Sequence, residues 1–242
     1  MWLVLCSPLD AAALWALTGL RLRGLVPIEA LSPEGLVYSH PLVHEMTSAH
    51  PRTTFTLPGG RIIDSADVQG VLNRMTGLPV AHLAGASAEE ALYAYQELHA
   101  LILSVLYGLG AQVVNRPTPQ GLAGHLRSHA EWLALAGRSG LRTQDYREDD
   151  REGTSTSSLP AGTALQMIVF DGDVYGAALP ADVRSRVGVL AGLAESRLLG
   201  VDLIRCSKGD WWFAAASVLP DLRVGGEGLL DALTSALGGP TT

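Results

Sequence analysis

Lysine is almost absent from this 242-residue chain: sixteen arginines carry the positive charge and Lys208 stands alone. Cysteine is nearly as scarce. Cys6 and Cys206 are too few for a disulfide framework, and both lie in apolar, strand-like stretches, MWLVLC and VDLIRC, where a thiol packs as a small buried hydrophobe. No run reaches the roughly 18 apolar residues of a membrane helix. The apolar N-terminus lacks a basic flank and is interrupted by Asp10, so it does not read as a signal peptide. A cytoplasmic protein without a membrane partner is expected. Charged residues make up only 17% of the chain against 48% hydrophobic, which argues against disorder. A net charge of −7 argues against nucleic-acid binding by bulk charge. A Gly-rich phosphate loop and a nucleophile elbow are also missing.

What is present is an alternation of strands and helices. WLVLC is a continuous apolar run of the buried, parallel kind. SPLDAAALWALTGLRLRG follows as a helix, with Ser7 as cap, Pro8 in its first turn and Gly24 at its end. RTTFTL and RII flank a PGG turn as a hairpin. GVLNR is a second apolar strand, and EEALYAYQELHALILSVLYGLG is a helix with Leu92, Tyr95, Leu98, Ile102, Val105 and Leu106 near one face. AQVVNRP is a third strand, stopped by Pro117. This order predicts an α/β domain with a parallel, Rossmann-like sheet over residues 1–118. Residues 119–242 form a second, α+β domain with antiparallel strands. It opens with the helix GLAGHLRSHAEWLALAGRSGL, and residues 145–164 read as a mobile or disordered loop. TALQMIVFDGDVYGAAL turns at Asp171-Gly172, ADVRSRVGVLAGLAESRLLG is a helix, GVDLIRCSKGDWWFAAAS turns at Lys208-Gly209, and GEGLLDALTSALGG closes the chain as an amphipathic helix.

Both GVLNR and QVVNRP end in Asn-Arg. The carboxyl ends of parallel strands border the ligand crevice of open α/β sheets. Asn73, Arg74, Asn115 and Arg116 are therefore candidate crevice residues, and Arg127 joins them as a further cation; the alternative is that the asparagines satisfy loop backbone and the arginines pair with carboxylates. SHPLVHEMTSAH holds His40, His44 and His50: on a helix the first two would share a face, as zinc ligands do, and otherwise the stretch is a loop leading into a strand. His125 and His129 repeat that spacing on an exposed helix face.

The order of these parts resembles the ATP-grasp superfamily, in particular the branch of glutathione synthetase and the peptide-glutamate ligases. The likeness is carried by GVLNRM, by QVVNRPTPQGLAGHLRSHAEWLALAGRSGL, by TALQMIVFDGDVYGAAL and, most specifically, by LLGVDLIRCSKGDWWFAAASVLPDLRVGGEGLLDAL. The resemblance implies a ligase in which ATP phosphorylates a carboxylate that an amine then attacks. Such an enzyme holds Mg²⁺ with one Asp on the first strand of the last hairpin and with Glu and Asn on the second, and it holds the phosphates with lysines. Asp202 matches the first metal ligand, and Pro220-Asp221 match the Pro-Asp that follows. The Glu position falls on Ala215 and the Asn position on Ser217. Lys208 lies in a turn, and the polar residues 145–164 replace a lid subdomain, being too short for several strands of about 5–6 residues. The resemblance thus implies a degenerate, truncated ATP-grasp protein in which neither ATP nor Mg²⁺ is expected. The expected role is that of a non-catalytic pseudoenzyme: a homo-oligomer or a module for a protein or peptide partner, in peptide or natural-product modification. The alternatives are a repurposed enzyme that uses the inter-domain crevice on an anionic molecule, and one subunit of a split carboxylate-amine ligase.

Overall fold

The computed structural model describes residues 1–46, 51–109, 113–149, 153–156 and 158–238. The chain divides into two compact units, residues 1–124 with 230–242, and residues 125–229. The expected boundary at 118 therefore moves to 124, and the C-terminal segment returns to the first unit. That return follows from packing. Trp2 Nε1 donates to the carbonyl of Leu237 at 3.0 Å, and Arg23 Nε lies 2.7 Å from the Asp231 carboxylate.

The first unit contains β1 (Trp2–Leu5), α1 (Ala11–Leu22), β2 (Ile28–Leu31), α2 (Pro33–Val37), β3 (Leu42–Glu45), β4 (Arg52–Thr56), β5 (Ile62–Asp64), β6 (Gly70–Asn73), α3 (Ala88–Gly108) and β7 (Val113–Val114). Strands β2-β1-β6-β7 form the expected parallel sheet, with β1 between β2 and β6. Leu3, Val4, Leu5, Val71 and Leu72 are fully buried, as a parallel strand covered on both faces requires. Strands β3-β4-β5 form a separate antiparallel sheet that includes the expected PGG hairpin.

The start of α1 differs from expectation. Asp10, not Ser7, caps α1: its carboxylate accepts from the Ala13 amide at 2.9 Å. Ser87 and Glu90 cap α3 reciprocally, and of its expected face Ile102, Val105 and Leu106 are buried whereas Leu92 is exposed.

The second unit holds α4 (His129–Arg138), β8 (Tyr146–Asp149), β9 (Gly153–Thr156), β10 (Gly162–Phe170), β11 (Asp173–Gly176), α5 (Ala181–Leu193), β12 (Leu198–Cys206) and β13 (Trp211–Ser217), and α6 (Gly226–Leu237) follows. Helix α4 starts eight residues later than the sequence pattern suggests, because Ser128 and Glu131 form a capping box there. The expected structureless loop, 145–164, contains the antiparallel pair β8-β9 and the start of β10. Backbone pairing builds that hairpin from polar residues that show no alternation. Strands β11-β10-β12-β13 form the antiparallel sheet. Asp171 and Gly172, with φ of 49° and 93°, make the left-handed two-residue turn that joins β10 to β11.

Alternation along these strands sorts their side chains. Met167, Val169, Leu199, Val201, Leu203 and Phe213 point to one face and pack under Trp132 and Leu133 of α4 and Val183, Val187 and Leu190 of α5. Gln166, Asp202 and Ala215 lie on the other face, on a single rung. Among the described residues no helix is long and apolar enough to cross a membrane.

Candidate functional site

The Asn-Arg pairs are built into the framework of the first unit. Asn73 is 0% exposed: its Nδ2 donates to the carbonyls of Asn115 and Leu122 at 3.0 and 2.6 Å, and its Oδ1 accepts from the Met75 amide at 3.2 Å. Its hydrogen-bonding capacity is spent on loop backbone, as a buried amide requires. Asn115 is also buried and sits at φ 56°, a left-handed turn that asparagine tolerates better than most residues. Arg74 is 5% exposed, and its Nε lies 2.8 Å from the Asp10 carboxylate. Burial works against ionisation of Asp10, but the Arg74 hydrogen bond and the Ala13 amide outweigh it and hold the carboxyl below its usual range. Asn73 and Arg74 thus follow the alternative reading, one satisfying loop backbone and the other paired with a carboxylate. Arg116 is exposed, and Arg127, in the second unit, stacks its guanidinium 5.3 Å from the centroid of Trp132.

The histidine readings change too. His44 lies on β3, not on a helix. Its Nδ1 is 2.7 Å from Thr53 Oγ1 and its Nε2 is 2.8 Å from Ser104 Oγ, so both ring nitrogens are engaged. His50 lies outside the described residues. His125 precedes α4, and His129 bonds Gln144 at 2.7 Å. Among the described residues no three His, Cys, Asp or Glu side chains are grouped to hold a metal ion. Of the two thiols Cys6 is buried, which pushes its pKa up, and Cys206 is only half-buried.

Strands β12 and β13 pair as the expected hairpin, with its turn at Lys208-Gly209. Asp202 faces Ala215 across the strands and Gln166 on the other side, and Gly200 faces Ser217 on the next rung. A bulge follows immediately: Leu203 pairs with Phe213, so Ala214 is the extra residue. These strands line a cavity of about 40 Å³ whose walls include Gln166, Ile168, Asp202, Ser217, Asp221 and Val224. Gly200 is required beneath it, since a Cβ there would come within 2.7 Å of the Pro220 ring. Among the described residues the Asp202 carboxylate makes no hydrogen bond or ion pair. Asp221 does: Arg223 reaches its two oxygens at 2.8 and 2.6 Å. Ser217 Oγ accepts from the Leu219 amide at 3.1 Å. Sequence reasoning placed Asp202, Ala215 and Ser217 here but missed Gln166, which the two-residue period of β10 would have put on the same face.

Magnesium requires a near-octahedral shell of oxygen donors, usually anchored by carboxylates. The rung supplies one carboxylate with no described partner and a methyl group opposite it, and the other carboxylate lining the cavity, Asp221, is already held by Arg223. This donor set does not match the Asp, Glu and Asn of a two-metal nucleotide site.

No family model and no curated protein matches the chain. Solved structures do. The macrocyclase MdnB from Microcystis aeruginosa MRC aligns with a TM-score of 0.68 at 13% identity, covering 99% of both chains. The macrocyclase MdnC bound with precursor peptide MdnA, from the same strain, aligns with a TM-score of 0.74 at 10% identity, again over 99% of both chains. A peptide-associated ATP-grasp ligase from Chryseobacterium gregarium, in complex with ADP and a leader and core peptide, gives 0.72 at 12% identity over 99% of this chain and 97% of its own. At such identities the likeness is one of architecture, and it joins the strand order and hairpin register described above: this chain has the fold of an ATP-grasp ligase.

Proposed function

We propose that the chain is a non-catalytic ATP-grasp-like module that binds a peptide or protein partner in a peptide-modification setting. The observation that carries this reading is the rung Gln166-Asp202-Ala215, where an otherwise regular hairpin presents a single carboxylate. Phosphoryl transfer is mostly charge neutralisation and positioning, so a site with neither its second carboxylate nor lysines lacks the means. The only lysine, Lys208, is exposed in the β12-β13 turn. We take the short β8-β9 hairpin as what stands where a lid subdomain would be. The peptide setting is supported by the neighbours in fold, two of which were solved with peptides. The repurposed-enzyme reading is weakened by the engagement of Asn73 with loop backbone and of Arg74 with Asp10.

The test is purification at native expression followed by mass spectrometry and an ADP-release assay. A peptide or protein is expected to co-purify in stoichiometric amount, with no ADP released from Mg·ATP above background. ADP release that depends on the co-purified partner would overturn the reading.

A further inference from the structure

We propose that the Asp202 cavity recognises a primary ammonium group, presented by a lysine side chain or an N-terminus of the bound peptide. The inference deepens the module reading and rests on it for the peptide.

Size is the first argument. A water needs about 10–15 Å³ of cavity, so about 40 Å³ accommodates a few waters, or one ammonium group with its last methylenes. Charge is the second. Asp202 contributes one negative charge, while Asp221 is neutralised by Arg223. A monovalent cation balances this site, whereas a divalent ion would leave it positive.

Hydrogen bonding is the third argument. An ammonium group has three donors and no acceptor. The cavity offers the Asp202 carboxylate, the Gln166 side chain across the same rung, and Ser217 one rung along. Gln166 is a direct cross-strand neighbour of Asp202, about 5 Å away on the same face, and Ser217 is a diagonal one, about 7–8 Å away; all three line the one cavity. Ser217 is held in place by the Leu219 amide and keeps a second lone pair. The rest of the lining is Asp221, held by Arg223, and an apolar wall of Met167, Ile168, Gly200, Pro220 and Val224. That wall suits an alkyl stem and would be wasted on a hydrated metal ion, because amphipathic cations lay their methylenes on apolar surface.

The test is a titration of the ¹⁵N-labelled full chain, followed by NMR, with Nα-acetyl-lysine methylamide and, separately, alanine methylamide. Saturable shifts in the millimolar range are expected at Gly200, Asp202 and Ser217 with at least one probe, and the stronger of the two tells side chain from N-terminus. Nε-acetylation of the lysine probe should abolish the shifts, and Asp202→Asn should weaken binding at least about tenfold, as loss of a charge-assisted bond does. Gln166→Met, at the exposed mouth, should weaken it less and provides the readout if the Asn variant is poorly folded. The proposal is overturned if no probe binds, if the acetylated probe or potassium chloride reproduces the shifts, or if neither variant weakens binding. Failure here without nucleotide binding leaves the module reading standing. Mg·ATP binding would remove that reading without touching the ammonium result.

Discussion

Asp10→Ala is expected to destabilise the first unit by about 3–5 kcal/mol, the usual loss when a buried ion pair keeps only its cation. Arg74 is 5% exposed at the carboxyl end of β6, with its Nε 2.8 Å from the Asp10 carboxylate, and the second Asp10 oxygen caps α1 through the Ala13 amide. One substitution therefore removes both an ion-pair partner and a helix cap. Chemical denaturation should show a urea midpoint lower by more than about 1 M. Asp10→Asn keeps an N-cap acceptor and should lose less. The pH dependence has a definite sign. The folded-state pKa of Asp10 is lowered, so its contribution is full above the unfolded carboxylate value of about 3.9 and disappears as pH falls through the folded value. Wild type should be level between pH 7 and 5 and weaken below about pH 4, with a smaller loss there in the alanine variant. A midpoint unchanged by Asp10→Ala would show that Arg74 does not depend on this partner.

Phe213→Ala should be as damaging to the second unit, at about 3–5 kcal/mol for a phenyl ring removed from a packed core. Phe213 is 0% exposed and sits among Leu203, Val201 and the helices α4 and α5. It is also the residue at which the β12-β13 pairing shifts by one, and its amide donates to the Arg142 carbonyl at 2.8 Å. The ring fixes which face Ala215 and Ser217 present. Loss of it should therefore lower the unfolding midpoint and broaden the amide signals of Asp202 and Ser217 together. Trp212→Ala, on the half-buried neighbour, should cost clearly less. Equal losses at the two positions would contradict the assignment of core and open faces.

The parts legible in the sequence share a cause. Strands β10, β12 and β13 were readable because one face is buried, and a one-residue slip would expose Met167, Val201 and Phe213 to water. The Asp171-Gly172 turn was readable because few residues adopt its left-handed geometry. The bulge at Ala214 was not legible, since three consecutive alanines give no pattern to shift. Strands β2 and β3 were missed because IEAL and LVHE are four residues long and each carries a glutamate. The start of α1 was misplaced because Ser7 and Asp10 are both competent caps, and the choice follows the Arg74 pairing, a contact 64 residues away. The Asn-Arg pairs stayed ambiguous in the sequence for a related reason. A polar residue after an apolar strand can face a ligand or bind loop backbone, and only the carbonyls of Asn115 and Leu122 decide between these for Asn73.

The central proposal is that the β12-β13 rung, with a single carboxylate, does not seat magnesium and a triphosphate. Titration calorimetry of the full chain with Mg·ATP and with a non-hydrolysable analogue tests it directly. The account predicts no saturable heat up to millimolar nucleotide; micromolar binding that is lost in Asp202→Asn would contradict it.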